Sequence, residues 1–167
     1  MLAFVPLLTM PNAQLVSNIG QLPSKPITKV EISVDDVRKE RAEAINSLFK
    51  KRSAPLEGKG MTFVLVAEKY GLDWRLLPAI SIRESSGGKE ACGYNAFGWG
   101  SCKLASRFSS YDEAINAIGY NLGGANPNTS KYYAGKTTSE KLYAYNGSVE
   151  PPYIGEVLAI MKMFGDQ

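Results

Sequence analysis

Residues 73–88 read DWRLLPAISIRESSGG. Asp73 stands where a helix N-cap would, and Leu76, Leu77, Ile80 and Ile82 follow as an apolar run that faces a core. Pro78 falls early enough that only a first-turn hydrogen bond is lost. The run closes on Glu84 and Ser85, and the pair Gly87–Gly88 then ends the helix. A carboxyl at the C-terminal end of a buried helix meets the negative end of the helix dipole and loses part of its hydration. Both effects raise its pKa, as a general acid working near neutral pH requires. An acid at a helix end is more often solvated, so position alone leaves Glu84 one candidate among several.

Composition removes the competitors. Histidine is absent from the 167 residues. A Ser-His-Asp or Cys-His hydrolase is thereby excluded, as are the common histidine-ligated zinc sites. Two cysteines cannot build a structural zinc site alone. Acid–base chemistry falls to Asp, Glu, Tyr or Lys, and no metal or organic cofactor is expected. The net charge of +3 comes with no basic run interleaved with aromatics, so no nucleic-acid partner is expected. The length suits one domain, expected to be monomeric, and the 44% hydrophobic content is enough to fill a core.

Working outward, residues 1–32 are broken by Pro, Ser and Asn without a sustained period and read as leader and linker. Their opening stretch, MLAFVPLLTMPNA, resembles the end of a secretory apolar region and its cleavage zone, although the basic segment expected before it is missing. It is too short and too proline-broken to span a bilayer. Export to the periplasm, cell wall or exterior is the expected localisation. Ser33 opens an N-cap ahead of an amphipathic helix and connector over 33–54, with Val34, Val37, Ala44 (with Ile45) and Leu48 at helical spacing. The stretch 52–60 reads as a loop and domain boundary, so 55–167 forms the main domain. Helices are predicted there over 61–70, closed by Gly71, over 110–122, begun by Ser109 or Ser110, and over 138–145, with a last one opened by Pro151 and Pro152. No segment shows sustained period-2 alternation, so the fold class is mainly α.

Two further segments bear on chemistry. Residues 93–101, GYNAFGWGS, form a glycine-aromatic loop flanked by Cys92 and Cys102. The cysteines read as a disulfide staple in an oxidising compartment, with two buried thiols as the alternative. Gly98 lets the backbone approach a ligand, and Tyr94, Phe97 and Trp99 offer flat faces for sugar rings, unless they are core aromatics. Residues 143–148, YAYNGS, place Tyr145 and Asn146 at a helix end. The Tyr145 hydroxyl there can orient a carboxyl or bind an N-acetyl group, or it is simply a buried tyrosine.

The order of Glu-Ser, a glycine-aromatic loop, and Tyr-Asn-Gly before a last helix resembles soluble lytic transglycosylases and goose-type lysozymes, of the lysozyme-like superfamily. The likeness covers about residues 61–164. RESSGG matches the helix-terminal glutamate and serine, with Glu84 and Ser85. Ala144, Tyr145, Asn146 and Gly147 match the Ala-Tyr-Asn-Gly motif. FGWG takes the place of a Gly-Leu-Met-Gln-like loop, departing at Trp99 where Met is usual, and it also resembles the Phe-Gly loop of bacterial endo-β-N-acetylglucosaminidases.

The resemblance implies a lysozyme-like α-helical domain with a glycan-binding cleft, and cell-wall peptidoglycan as partner. Glu84 and Tyr145 would be catalytic. Ser85, Tyr94, Phe97, Gly98, Trp99 and Asn146 would bind substrate. A retaining hydrolase needs a second carboxylate about 5 Å from the acid. Glu90, Asp112 and Glu113 are the available acids, and the last two read as helix N-terminal charges. Without a carboxylate partner the substrate's own N-acetyl oxygen can serve, giving a 1,6-anhydro product. The alternatives are an endo-β-N-acetylglucosaminidase and a non-catalytic wall-binding module.

Overall fold

Ser33 starts the first helix by accepting the Asp36 amide on its hydroxyl, 3.1 Å away. This computed structural model describes residues 33–100, 102 and 108–165. The leader and linker expected at 1–32 therefore lie outside the described residues. Helix α1 (Val34–Lys51) runs antiparallel to α2 (Gly60–Lys69): Arg38 pairs with Glu68, while Asn46 accepts the amides of Gly58 and Gly60. Its buried stripe is Ala42, Ile45 and Phe49, which keeps Ile45 of the predicted residues and adds Ala42 and Phe49. Ala44 and Leu48 are only partly buried and Val34 is exposed, because the first turn of α1 runs past the end of α2.

Helix α1 packs into the core of the residues that follow it. Ile45 and Phe49 are fully buried in the same core as Phe63, Leu77 and Ile80, and the described residues fall in one compact unit. Phe49 packs on Phe63, which packs edge-on to Phe97. The loop between α1 and α2 is a tight connection inside that unit.

Helix α3 (Leu76–Ser85) begins two residues later than Asp73 as N-cap suggests. Asp73 instead folds a turn on itself, accepting the Arg75 amide at 2.9 Å and pairing with the Arg75 guanidinium. The helix is buried on nearly every side, from Leu76 through Ile82 and again at Ser85. Helix α4 (Tyr111–Leu122) is capped by Ser110 as predicted, and turns Ala114, Ile115, Ile118 and Leu122 inward. A short α5 (Ser130–Tyr133), which the sequence does not announce, leads to α6 (Thr138–Leu142), opened by a Thr137–Glu140 capping box.

The predicted helix over 138–145 changes character at Tyr143. Residues Tyr143–Gly147 form a π-helical turn, the wider winding that recurs at functional sites. Helix α7 (Tyr153–Lys162) then packs against α3 through Tyr153, Val157 and Met161 at helical spacing. Lys141 is buried, its ammonium donating to the carbonyls of Leu122 (2.7 Å) and Tyr133 (2.6 Å). It thus sits at the negative end of α4, where a cation is favoured.

The described residues are mainly helical, with one isolated bridge between Cys92 and Asn95. None of the described helices is long and apolar enough to cross a membrane.

If α1 is a structural part of this unit, Phe49→Ala should lower unfolding free energy by about 3–5 kcal/mol, the usual cost of emptying a buried phenylalanine site. Urea denaturation measures it, and a loss below about 1 kcal/mol would mean that α1 is only a tether.

Candidate active site

Glu84 lies in the last turn of α3, half-buried, and its carboxylate rests against the glycine-aromatic loop. A Cβ built on Gly98 would fall 2.6 Å from Glu84 Oε2, and Gly98 has a φ of +62°. Both the contact and the backbone conformation call for glycine there. The loop is held in four ways. Ser85 Oγ donates to the Ala96 carbonyl at 2.7 Å and accepts the Gly88 amide at 3.0 Å. Asn95, itself buried, donates to the Trp99 carbonyl and accepts the Trp99 amide. Tyr145 Oη donates to the Phe97 carbonyl at 2.5 Å. Cys92 and Cys102 are joined, with Cα atoms 5.4 Å apart, as the disulfide reading expects.

The three segments singled out in the sequence therefore meet, but several side chains have duties other than those expected. Ser85 is buried, and its single proton is committed to the loop, so it positions the loop instead of facing a substrate. The Phe97 ring is in the core against Phe63, and only its carbonyl reaches the site. Tyr94 is exposed and meets Tyr111 edge-on at 5.2 Å. Asn146 donates to Glu150 at 3.0 Å. Trp99 is partly buried, 5.5 Å from the Tyr145 ring.

Arg83, Glu150 and Tyr153 also belong to the site, although the sequence does not single them out. Tyr153 stacks on Tyr145, rings 6.1 Å apart and 12° from parallel. Its buried hydroxyl has no hydrogen-bonded partner of good geometry, although it lies close enough to the Glu84 carboxyl to favour that group's ionisation. Arg83 lies over the other ring system at 5.4 Å from the Tyr153 centroid and pairs with both Glu150 and Glu156. The only advance signals were the placement of Arg83 next to Glu84 and of Tyr153 after two prolines. Neither identifies a partner, because the contact is made by packing α3 on α7.

Burial dominates the electrostatics. It holds the Glu84 carboxyl above the ordinary glutamate value of 4.5, against the opposing effects of the Tyr153 hydroxyl and Arg83. Glu150 adds a smaller push in the same upward direction. The Tyr145 hydroxyl is pushed well above its ordinary value by burial first and by the nearby Glu84 charge second. Since the Tyr145 proton is already given to Phe97, what remains on that oxygen is acceptor capacity, which suits a neutral acid better than a carboxylate.

The acids named as possible catalytic partners are engaged elsewhere. Asp112 pairs with Lys59 and accepts from Thr62, Glu113 caps the start of α4, and Glu90 accepts from Ser86. Among the described residues no group of three or more Cys, Asp or Glu is placed to hold a metal ion. No protein-family model matches the chain, and no curated protein matches it.

The folded protein holds the Glu84 proton more tightly than the unfolded chain does. Ionising it therefore weakens the fold as pH rises from 4.5 through the raised native value. Glu84→Gln removes that loss. The variant should be more stable than the parent at pH 7, with the gain vanishing as pH is lowered below 4.5. Urea midpoints across this range measure it, and a parent more stable than the variant at pH 7 would contradict the electrostatic assignment.

Proposed function

We propose that the protein is an exported glycosidase that cuts β-1,4 links in the glycan strands of bacterial peptidoglycan, with Glu84 as its general acid. The observation that carries this reading is the meeting of three separated motifs at one carboxyl. The Glu84 side chain lies against Gly98, and Tyr145 ties that same loop through Phe97. A half-buried acid of raised pKa beside a glycine-opened backbone has the requirements of an acid catalyst for a bulky polymer.

In this mechanism Glu84 gives its proton to the glycosidic oxygen as the C1–O bond breaks. Charge develops at C1 in an oxocarbenium-like transition state. The N-acetyl oxygen of the same sugar closes on C1 and takes the place of an enzyme nucleophile. Glu84, now a carboxylate, accepts the proton of the C6 hydroxyl while that oxygen attacks C1 and releases the N-acetyl group. The product is a 1,6-anhydro sugar, the outcome of a lytic transglycosylase.

Among the described residues no free carboxylate is found beside Glu84, which favours this course over direct hydrolysis. Glu150 is the acid whose charge reaches Glu84, yet one of its oxygens is bound by Arg83 and the other by Asn146. A carboxylate held on both sides is a poor nucleophile and a poor base.

Purified sacculi incubated with the protein should release soluble muropeptides ending in 1,6-anhydromuramic acid, as read by mass spectrometry. Glu84→Gln should lower the release at least about 100-fold, the scale of a lost general acid. Unchanged release by that variant would sink the assignment of Glu84, and reducing glucosamine ends would move the cut to the other bond.

A further inference from the structure

A concavity lies against the π-helical turn at Tyr143 and Ala144. It has a volume of about 570 Å³ and is formed by α5, α6 and the turn. Tyr143 and Tyr145, two positions apart, leave the turn in opposite directions. Tyr145 runs inward to Phe97, whereas Tyr143 is 57% exposed. Tyr143 shares the cleft with Tyr132, which is 51% exposed. Two large rings left in water on separate elements, facing one hollow, are unusual unless something covers them.

The charges there are unbalanced. Lys131 and Lys136 line the cleft with one acid, Glu140. One Glu140 oxygen caps Thr137, and the other is 3.9 Å from the Lys136 ammonium, a loose pair. Lys131 has its ammonium over the Tyr132 ring, 4.8 Å from the centroid. Ser139 and Ser148 add hydroxyls at the rim.

We infer that this cleft is a second binding site for an acidic saccharide chain, with sugar faces on Tyr132 and Tyr143 and saccharide or stem-peptide carboxylates on Lys131 and Lys136. The inference rests on the reading of the protein as a peptidoglycan glycosidase. A long anionic polymer is a ligand that could occupy this cleft and the Glu84 site at once, so the cleft would raise the effective concentration of strand at Glu84.

The test uses the full chain carrying Glu84→Gln, so that glycan is bound without being consumed. Its affinity is measured calorimetrically for soluble peptide-bearing glycan strands and for a neutral chitin hexasaccharide. Adding Lys131→Ala and Lys136→Ala should weaken strand binding about ten-fold, the scale of two exposed charge contacts, and leave the neutral oligomer unaffected. Adding Tyr143→Ala instead should weaken both ligands. All three positions are exposed, and unchanged thermal midpoints verify the fold. Strand affinity unaltered by either set of changes would overturn the cleft alone. A Glu84→Gln parent that binds neither ligand would overturn the peptidoglycan reading, and this site with it.

Discussion

The proton on Ser85 joins the acid-bearing helix to the loop that faces it. Ser85 Oγ is buried, donates to the Ala96 carbonyl and accepts the Gly88 amide, so one side chain satisfies groups on both sides of the chain reversal. Leaving such buried groups unpaired would cost about 1–3 kcal/mol each. The reversal itself is made by three successive residues of positive φ, Ser86 at 54°, Gly87 at 75° and Gly88 at 99°. Only glycine adopts this region freely, and Ser86 accepts strain of about 1–2 kcal/mol to begin the turn. This constraint stops α3 within a turn of Glu84 and brings residues 95–99 back over it. Without it the carboxyl would sit on an open helix end, where an acid is merely hydrated.

Around that hinge the site is a stack of flat groups. Trp99, Tyr145, Tyr153 and the Arg83 guanidinium follow one another at 5.4–6.1 Å, drawn from the loop, the π-helical turn, α7 and α3. Such contacts add roughly 0.5–1.5 kcal/mol each beyond their burial. They also exclude water from the Glu84 side, and exclusion of water is the first cause of its raised pKa. The same packing leaves the Tyr153 hydroxyl buried without a well-formed partner. Its polar neighbour is the Glu84 carboxyl, whose ionisation it favours.

Much of this architecture was legible in the sequence wherever local chemistry decides it. Gly71 ends α2, Ser110 caps α4 and the prolines precede α7, because caps and breakers act within a few residues. The α1 stripe was partly displaced because its burial depends on how far the helix overlaps α2, which no periodicity encodes. Asp73 was legible as an N-terminal signal, but its side chain turned to Arg75 and the helix began later. The π-helical turn was read as ordinary helix, since the extra residue per turn is imposed by what Tyr145 must reach. Glu84, Gly98 and Tyr145 were found from short motifs, whereas Arg83, Glu150 and Tyr153 join the site only through the packing of α3 on α7. Ser85 and Phe97 show the converse limit: each was recognised as belonging to the site, but a motif does not say which atom faces the ligand.

The placement of Glu150 bears on how one acid could serve both halves of a reaction. A carboxylate that is to act as nucleophile must be free to approach C1, and Glu150 is instead braced between Arg83 and Asn146. Its charge still reaches Glu84 and favours the protonated form, while Arg83 favours the ionised one. Arg83 and Glu150 act on Glu84 in opposite directions, and burial, the largest influence, prevails over the Tyr153 hydroxyl and Arg83. Under the proposed mechanism that balance is useful. An acid raised chiefly by burial releases its proton to a leaving oxygen, and as a carboxylate it remains basic enough to take one back from the C6 hydroxyl. An acid raised chiefly by an adjacent free carboxylate would bring a competing nucleophile with it. Under that mechanism the ion pair beside Glu84 would keep the second carboxylate out of the reaction.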